Sequence, residues 1–369
     1  MNSQEDVFFM RQALKEARKG LGRTSPNPCV GAVVVKNDRI IARGYHKKAG
    51  TPHAEVNAIK QATEDIAGAT LYVTLEPCNH TGKTPPCTRA ILESGISRVV
   101  VGMKDPNPLV NGTGIAFLES CGVAVTSGVL EQQCEEINLS FIKYITTGLP
   151  WVIMKAGMSL DGRLSYFREK SGWITGSESV LEAHKLRDRV DAILVGGRTI
   201  TIDNPSLTTR LPRRRTHNPV RIILDSQLST SLNAKVYRLE STASTWVFHS
   251  IDAHPSKIAE FQSQGIRLFP VARHGNGVQL LEVLGILGKE GICSVMVEGG
   301  GRVHGAFLSE QLVDYVHLFQ APLFAGDSGV PLAEGFQVQD RHNAPRLSSI
   351  RYKRLGDDML ISGNITYAN

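Results

Sequence analysis

The feature that most constrains this chain is a set of one imidazole, two thiols and one carboxylate within its first hundred residues. His53 and Glu55 lie two residues apart, and Cys78 and Cys87 follow. Zinc binds nitrogen and sulfur donors tetrahedrally, and three protein donors leave a fourth position for water, as in catalytic zinc sites. Zinc lowers the pKa of that water to about 7, and a nearby Glu can move its proton. The pattern predicts hydrolytic chemistry at a zinc ion held by His53, Cys78 and Cys87, with Glu55 as the proton carrier.

The local sequence predicts that regular elements hold all three donors. Residues 51–52, Thr-Pro, are typical of an N-cap followed by a first helical residue, so we expect His53 in the first turn of a helix. Residues 69–75 predict a strand that ends just before Cys78. Cys87 is predicted to open a second helix, whose terminal N–H groups favour a thiolate.

Two other uses of these residues remain open at this point. A closed structural zinc site or a redox-active thiol pair would use the same cysteines, but a structural site would need a fourth donor near Cys87, and none is evident. The spacing also departs from the usual nucleobase-deaminase pattern, in which two residues separate the cysteines. Here eight residues separate Cys78 from Cys87.

Length and composition limit the class of protein. A chain of 369 residues exceeds what one core usually supports, so we expect two domains. No apolar stretch is long enough to span a membrane, and the N-terminus lacks a signal-peptide pattern, which predicts a cytoplasmic protein with no membrane partner. Six cysteines are too sparse for a disulfide framework. We expect Cys29, Cys121, Cys134 and Cys293 to be buried small hydrophobic residues.

The net charge of +6 favours an anionic partner, either a nucleic acid or a phosphorylated metabolite. Residues 213–215 are three arginines, typical of a solvated loop, with a contact to nucleic acid or cofactor phosphate as the alternative. Aromatic residues make up 6% of the chain and do not alternate with basic residues in the second half. This composition argues against nucleic-acid binding, which uses aromatic stacking.

Hydrophobic periodicity predicts an α/β architecture in both halves. Helix and strand patterns alternate up to residue 144, including a hairpin over residues 30–44 and one helix over residues 130–144. Near the N-terminus they predict a helix whose apolar face carries Met10, Ala13, Leu14 and Ala17. A second alternation begins at Trp151, and the segment before it contains the expected boundary. The predicted domains are residues 1–147 and residues 148–369.

A glycine-rich segment marks a candidate site in the second half. Residues 294–297 predict a strand, residues 299–301 are three glycines, and a helix is predicted to follow. Backbone N–H groups at a helix N-terminus bind anions, and glycine lets a phosphate approach closely. The segment is not the dinucleotide-binding fingerprint, because His304 stands where Gly or Ala belongs. A tight structural turn is the alternative interpretation.

Five motifs of the first half together resemble one enzyme family. They are residues 27–33 (NPCVGAV), 52–55 (PHAE), 74–78 (TLEPC), 82–87 (GKTPPC) and 105–108 (DPNP). With the long spacing between cysteines, they resemble the deaminase half of the bacterial bifunctional riboflavin-biosynthesis deaminase/reductase family. The resemblance implies a cytidine-deaminase-like three-layer α/β sandwich with Zn²⁺ on His53, Cys78 and Cys87 and with Glu55 as the catalytic acid and base.

Motifs of the second half resemble the reductase half of the same family: residues 155–163, 173–175, 203–208, 224–226 and 298–300. The resemblance implies a dihydrofolate-reductase-like domain that binds NADPH and a phosphoribosyl substrate. The residues it assigns to NADPH are Met158, Trp173, Thr199, Asp203, Ser226, Gly300, Gly301, Arg302, Val303, His304, Gly305 and Ala306. The residues it assigns to the substrate are Ser171, Arg187, Leu207, Arg210 and Glu298, and its catalytic candidates are Lys155, Asp203 and Glu298.

Plainer interpretations accompany some of these residues. Arg187 lies in a charged stretch typical of a solvated helix face, and Trp173 is of a type more often found in the core. We expect His304 to pack or to form hydrogen bonds rather than to act as an acid or base. Arg198 departs from the small residues common in the family, which could alter the contact with the cofactor phosphate.

The resemblance implies two consecutive reactions. The first half would hydrolyse the exocyclic amine of 2,5-diamino-6-ribosylamino-4(3H)-pyrimidinone 5′-phosphate, and the second would reduce the ribosyl group to ribityl with NADPH. A nucleic-acid-editing deaminase and a catalytically inactive binding protein are the alternatives. The inactive protein would be expected to have lost a zinc donor or Glu55, and all four residues are present. The sequence leaves open whether the chain acts alone or as a homo-oligomer.

Overall fold

The computed structural model describes residues 4–80, 85–107, 110–212 and 216–368. The chain divides into two compact units, Met1–Leu149 and Pro150–Asn369. The arginine run at 213–215 and parts of two motifs, residues 82–84 and 108, lie outside the described residues. In the part of the chain that is described, no helix is long and apolar enough to cross a membrane.

The first unit is built on one five-stranded sheet. Its strand order is β2-β1-β3-β4-β5, with β1 antiparallel to both β2 and β3, and with β3, β4 and β5 parallel. The strands are β1 (Gly31–Lys36), β2 (Arg39–Tyr45), β3 (Thr70–Leu75), β4 (Arg98–Met103) and β5 (Ala124–Ser127). The helices are α1 (Gln4–Ala17), α2 (Ala54–Lys60), α3 (Cys87–Glu93), α4 (Thr113–Ser120), α5 (Glu131–Glu136) and α6 (Leu139–Thr147), and a 3₁₀ turn follows α1 at Arg18–Gly20.

Burial in the sheet explains the layers of this unit. Consecutive residues of β1, β3 and β4 are buried, rather than every second one. Strands buried in this way have both faces covered by helices. Helix α1 contributes the apolar face predicted from its periodicity, with Met10, Ala13, Leu14 and Ala17 all buried. The α/β sandwich predicted for the first half is confirmed.

The single helix predicted over residues 130–144 is wrong, because the chain forms α5 and α6 with a break at Asn138. The Asn138 side chain is buried, and its Oδ1 accepts a hydrogen bond from the Cys29 N–H at 2.7 Å. Its Nδ2 donates to the carbonyl oxygens of Cys29 and Cys134. An asparagine that bonds to backbone in this way competes with helical hydrogen bonding.

All six cysteines are free. Cys29, Cys134 and Cys293 are buried, as predicted. Cys121 is exposed, so the prediction of a buried residue is wrong there. It is the C-cap residue of α4, which places it at the end of the helix rather than on its apolar face.

The second unit contains a nine-stranded mixed sheet in the order β10-β9-β8-β7-β13-β6-β14-β16-β15. Its pairs are parallel except those of β16 with β14 and β15, which are antiparallel. The strands are β6 (Trp151–Met158), β7 (Ala192–Gly196), β8 (Val220–Leu224), β9 (Thr245–Ser250), β10 (Arg267–Val271), β13 (Ser294–Val297), β14 (Tyr315–Gln320), β15 (Arg346–Leu355) and β16 (Asp358–Thr366), while β11 (Arg273–His274) and β12 (Gly277–Val278) form a separate pair. The helices are α7 (Ser177–Arg187), α8 (Gly197–Asp203), α9 (Pro255–Ser263), α10 (Leu280–Lys289) and α11 (Gly301–Ser309), with a 3₁₀ turn at Lys235–Tyr237.

The strand order places three strand ends side by side. Strand β13 lies between β7 and β6, parallel to both. Helix α8 follows β7 directly, and α11 follows β13 after three residues. In sheets of this type ligands bind at the carboxyl ends of neighbouring parallel strands, so these ends define where a site can form.

Gly44 determines how closely α2 approaches the sheet of the first unit. It lies in β2, which forms the predicted hairpin with β1. A Cβ atom at this position would lie 2.3 Å from the Ala58 nitrogen and 2.4 Å from the Ala54 carbonyl oxygen. Any side chain at residue 44 would therefore push α2 away from β2.

We predict that Gly44→Ala destabilises the first unit by about 1–3 kcal/mol, the usual effect of overpacking, and lowers the midpoint of its thermal unfolding. Gly285→Ala is the matched control, because its Cβ meets no atom within 4 Å in the middle of α10. That change should stabilise the second unit by about 0.5–1 kcal/mol through helix propensity. Scanning calorimetry measures both, and unchanged unfolding of Gly44→Ala would contradict the close packing of α2.

Candidate functional site

Three donor atoms of the first unit converge on one point. His53 Nδ1 lies 3.2 Å from Cys87 Sγ and 3.5 Å from Cys78 Sγ, and all three atoms lie within 4.8 Å of one another. A tetrahedral zinc ion with ordinary bond lengths separates its nitrogen and sulfur donors by about 3.5 Å. Within the described ranges, no further His, Cys, Asp or Glu belongs to this group. The donor set fits a zinc ion that keeps one open position.

Each donor is held by the end of a regular element. His53 is the N-cap residue of α2, with φ −71° and ψ 170°, so the prediction that the helix begins before it is wrong. Extended backbone at His53 keeps its ring out of the helix, while Glu55 lies in the first turn as predicted. Cys78 follows β3, and Cys87 is the first residue of α3. The backbone N–H of Cys87 donates to Cys78 Sγ at 3.4 Å.

The pKa shifts in this group distinguish Glu55 from the two cysteine donors. Burial raises the pKa of Glu55, which also shares a hydrogen bond with the Cys87 thiol. The hydrogen bond from Cys87 lowers the pKa of Cys78 to about 4, and the same bond raises the pKa of Cys87. Glu55 is therefore a buried carboxyl group that can gain or lose a proton beside the cluster.

His46 lies beside this cluster and was not identified from the sequence. Its ring meets the His53 ring edge-on, with centroids 5.4 Å apart. The Pro52 carbonyl oxygen, 3.2 Å from Nδ1, can only accept, so Nδ1 carries the proton. Nε2 then accepts from the Asn27 side-chain amide at 3.1 Å. A single histidine after a strand carries no spacing signal, which is why the sequence did not reveal it.

Glu76 is a second residue that sequence reasoning missed. Its buried carboxylate accepts four backbone N–H groups, from Asp105 at 3.3 Å, Gly112 at 3.0 Å, Gly114 at 2.9 Å and Ile115 at 3.2 Å. These bonds tie the start of α4 to the end of β3, two residues before Cys78. The acidic residue in the TLEPC motif is the only signal that the sequence offered.

The candidate site of the second unit is a cavity of about 470 Å³ at the carboxyl ends of β6, β7 and β13. Most of the residues predicted for cofactor, substrate and catalysis line it. They are Lys155, Ser171, Trp173, Arg187, Thr199, Asp203, Leu207, Arg210, Glu298, Gly300, Gly301, Arg302, Val303 and His304.

Four residues predicted for the cofactor do not line this cavity: Met158, Ser226, Gly305 and Ala306. Met158 is buried on the opposite face of β6 from Lys155 and Gly157, because successive side chains of a strand point to opposite faces. Gly305 packs against Glu334, whose carbonyl oxygen would lie 2.2 Å from a Cβ at this position. The Ser226 carbonyl oxygen accepts a hydrogen bond from the N–H of Ser250, at the end of β9.

A buried ion pair lies in this cavity. Arg187 donates from Nε and Nη2 to the two carboxylate oxygens of Glu298, at 2.8 and 2.6 Å, and from Nη1 to the Thr208 carbonyl oxygen at 3.2 Å. The Arg187 side chain is 13% exposed, so its placement on a solvated helix face is wrong. Burial by itself raises the pKa of Glu298, but the charges of Arg187 and Lys155 lower it to about 2. Glu298 is therefore ionised at neutral pH.

Lys155 and His304 differ in what they can do. Burial lowers the pKa of Lys155, while the charge of Glu298 raises it, and its Nζ lies 5.5 Å from the centre of the Phe319 ring. Burial lowers the pKa of His304 to about 4, and its two ring nitrogens lie 3.4 Å and 3.3 Å from the carbonyl oxygens of Val297 and Leu332. His304 fits the predicted role of a packing and hydrogen-bonding residue.

The exposed side of the cavity carries the remaining predicted residues. Trp173 is 68% exposed, which excludes a core position. Arg198 donates to the Glu169 carboxylate at 2.7 Å and to the Arg168 carbonyl oxygen at 3.3 Å. Asp203, the last residue of α8, is exposed. Basic residues outnumber acidic ones in the lining, with Lys155, Arg168, Lys170, Arg187, Arg198, Arg210, Lys235 and Arg302 against Asp203, Glu298 and Glu334.

Two protein-family models match this chain, one in each unit. Residues 3–103 match the cytidine and deoxycytidylate deaminase zinc-binding region. Residues 150–361 match the RibD C-terminal domain. The zinc-type donor cluster lies in the first match and the cavity lies in the second.

Similar proteins cover almost the whole chain. The riboflavin biosynthesis protein RibD of Bacillus amyloliquefaciens is 42% identical over 358 residues, which are 97% of this chain and 95% of that protein. The protein of the same name from Escherichia coli K12 is 35% identical, over 97% of this chain and 98% of that protein.

Two solved structures share the fold across both units. Acinetobacter baumannii RibD superimposes with a TM-score of 0.88 at 34% identity, over 98% of this chain and 99% of that chain. A diaminohydroxyphosphoribosylaminopyrimidine deaminase/5-amino-6-(5-phosphoribosylamino)uracil reductase from Thermotoga maritima gives a TM-score of 0.85 at 38% identity, with 99% coverage of both chains.

We predict that Glu76→Gln loosens the segment that contains Gly112, Gly114 and Ile115. The amide would present an NH₂ group to backbone N–H donors, and a hydrogen bond to a charged group contributes about 1.5–3 kcal/mol. Hydrogen exchange at these three amides should accelerate at least tenfold. The control is Glu93→Gln, which removes an exposed ion pair with Arg89 and should leave this exchange unchanged. Equal protection in both variants would contradict the anchoring role of Glu76.

Proposed function

The chain belongs to the RibD family of bifunctional riboflavin-biosynthesis enzymes, and from this premise we propose which residues perform each of its two reactions. The protein is a deaminase and a reductase, with a deaminase domain of the zinc-binding type and a RibD C-terminal domain. We assign the deamination to the first unit and the reduction to the second. The proposed substrate is 2,5-diamino-6-ribosylamino-4(3H)-pyrimidinone 5′-phosphate in a cytoplasmic pathway.

The observation that carries the deaminase assignment is the convergence of three zinc-type donors beside a buried carboxyl group. We assign His53, Cys78 and Cys87 to Zn²⁺, which when bound supplies a water of lowered pKa. With the ion bound, Glu55 would carry one proton of that water to the ring nitrogen and then a second proton, from the hydroxyl group added to the ring carbon, to the departing amine. A carboxyl group whose pKa is raised by burial suits both halves of this exchange.

The charge of the second cavity supports two phosphorylated ligands. The excess of basic residues favours NADPH together with a ribosyl phosphate substrate. Arg210 is exposed in the lining and is the residue we assign to the substrate phosphate, since a guanidinium binds phosphate with two parallel hydrogen bonds. Arg187 uses three of its five N–H donors on Glu298 and Thr208, which leaves two for the substrate.

NADPH, the proposed cofactor, supplies the hydride that converts the ribosyl group to ribityl. The reduction also needs a proton for the ring oxygen that becomes a hydroxyl group. Lys155 is the proposed donor. Burial lowers its pKa, which favours release of its proton, while the charge of the ionised Glu298 favours the protonated form that precedes the transfer. Asp203 and Trp173, on the exposed side of the cavity, are proposed to contact the nicotinamide cofactor with Thr199 and the glycine turn at 300–301.

We predict that Glu55→Gln slows ammonia release by about 100- to 10,000-fold, the usual contribution of a general acid and base. Because Glu55 is not one of the donors, the variant should keep about one zinc per chain, as one tetrahedral site requires. Elemental analysis and an ammonia assay measure both values. Near-normal ammonia release with zinc bound would show that another group carries the proton.

We predict that the two reactions can be disabled separately. Cys87→Ser should lose zinc and ammonia release, yet should still reduce the deaminated substrate with NADPH. Glu298→Gln should slow that reduction at least tenfold and leave ammonia release within twofold, because it removes the charge that faces Lys155 and Arg187. Each activity is measured with its own substrate. Loss of both reactions in either folded variant would contradict the assignment of one reaction to each unit.

A further inference from the structure

The segment after α8 brings Leu207 and Arg210 to the cavity without the support of regular structure. Leu207 is buried in a left-handed backbone conformation with φ 51°, which is unfavourable for a leucine. Among the described residues, positions 205–210 form no backbone–backbone hydrogen bonds. Side chains must therefore hold this segment in place.

Three side chains hold two consecutive peptide groups of this segment, 208–209 and 209–210. Arg187 Nη1 donates to the Thr208 carbonyl oxygen at 3.2 Å. The Thr209 N–H donates to Asn218 Oδ1 at 2.9 Å. The Arg210 N–H donates to His184 Nδ1 at 3.2 Å. A backbone N–H without a partner costs free energy, so these bonds determine where the segment rests.

The His184 ring acts here as an acceptor. It lies on α7, is buried and lines the same cavity as Arg210. Burial, together with the neighbouring charges of Arg187 and Arg210, lowers the pKa of His184 to about 4. The ring is therefore neutral, and because Nδ1 accepts, the proton is on Nε2.

We propose that His184 is a positioning residue of the reductase site, which places the Arg210 guanidinium for the substrate's phosphate through the hydrogen bond from the Arg210 N–H to its Nδ1. The proposal rests on the assignment of Arg210 to the phosphate. It adds a specific requirement, an acceptor at the position of Nδ1. A neutral acceptor holds the backbone of Arg210 and leaves the guanidinium available to the ligand.

Two substitutions at residue 184 separate this role from simple packing. In His184→Asn the side-chain oxygen takes the position of Nδ1 and keeps the acceptor. In His184→Gln the polar group lies further out, near the position of Nε2, and the acceptor is lost. His184→Gln should raise the reductase KM for the deaminated ribosyl phosphate about five- to tenfold, as expected for one lost hydrogen bond, with kcat within twofold. His184→Asn should stay within twofold of the unaltered enzyme in both constants.

The coupling to Arg210 is tested by a double-mutant cycle. Arg210→Ala should raise the same KM, and His184→Gln should add no further increase in the Arg210→Ala background. The KM for NADPH and the rate of ammonia release should not change in any of these variants. Asn218→Ala tests the same segment by a second route. Asn218 does not line the cavity, and the substitution removes the acceptor of the neighbouring Thr209 N–H. It should raise the substrate KM even if the His184 variants fail to fold.

Each contrary outcome has a separate meaning. If Arg210→Ala leaves the KM unchanged, the assignment of the phosphate contact is wrong and the positioning role falls with it. If Arg210→Ala raises the KM but the His184→Gln and Asn218→Ala variants do not, the phosphate contact stands and the positioning role is overturned. Equal effects of His184→Asn and His184→Gln, or additive effects of His184→Gln and Arg210→Ala, would also overturn it.

Discussion

The covering of both sheet faces is the constraint on which the functional parts of this protein depend. Strands such as β1, β3 and β4 are buried along consecutive residues, so a polar side chain on their faces needs a partner inside the protein, as Thr74 has in the Gly31 N–H. Groups that must meet a ligand therefore lie chiefly at strand ends and at the helix starts beside them, with Lys155 of β6 as the exception on a strand face. In the first unit this places Cys78 after β3, with His53 and Cys87 at the beginnings of α2 and α3. In the second unit the cavity lies beyond β6, β7 and β13.

Three buried carboxyl groups show how the surroundings decide what an acid can do. Glu76 accepts four backbone N–H groups and holds α4 against the end of β3. Glu298 faces Arg187 and Lys155, whose charges keep it ionised and lower its pKa to about 2. Burial raises the pKa of Glu55, and the charge of His53 offsets only part of that effect. Glu76 therefore anchors backbone, Glu298 pairs with two cations, and only Glu55 is suited to transfer a proton.

The sequence predicted the parts of the protein that follow from short-range patterns. Periodicity located the apolar face of α1 and the hairpin of β1 and β2, and the zinc-type donors were visible because their residue types are rare and their spacing is distinctive. It missed features that depend on tertiary contacts. The break at Asn138 comes from hydrogen bonds to Cys29, more than a hundred residues away. Likewise, nothing local shows that the Arg187 fork is engaged by Glu298, 111 residues further along the chain.

The central claim is that one chain carries a complete deaminase site and a complete reductase site that act in that order. The most direct test follows ammonia release and NADPH oxidation together after the diaminopyrimidine ribosyl phosphate is added to the purified full-length protein. We expect ammonia to appear first and NADPH oxidation to follow after a lag. At the end, the amount of ammonia released should equal the amount of NADPH oxidised. NADPH oxidation that begins without a lag and without ammonia, or ammonia release that is never followed by oxidation of NADPH, would contradict the account.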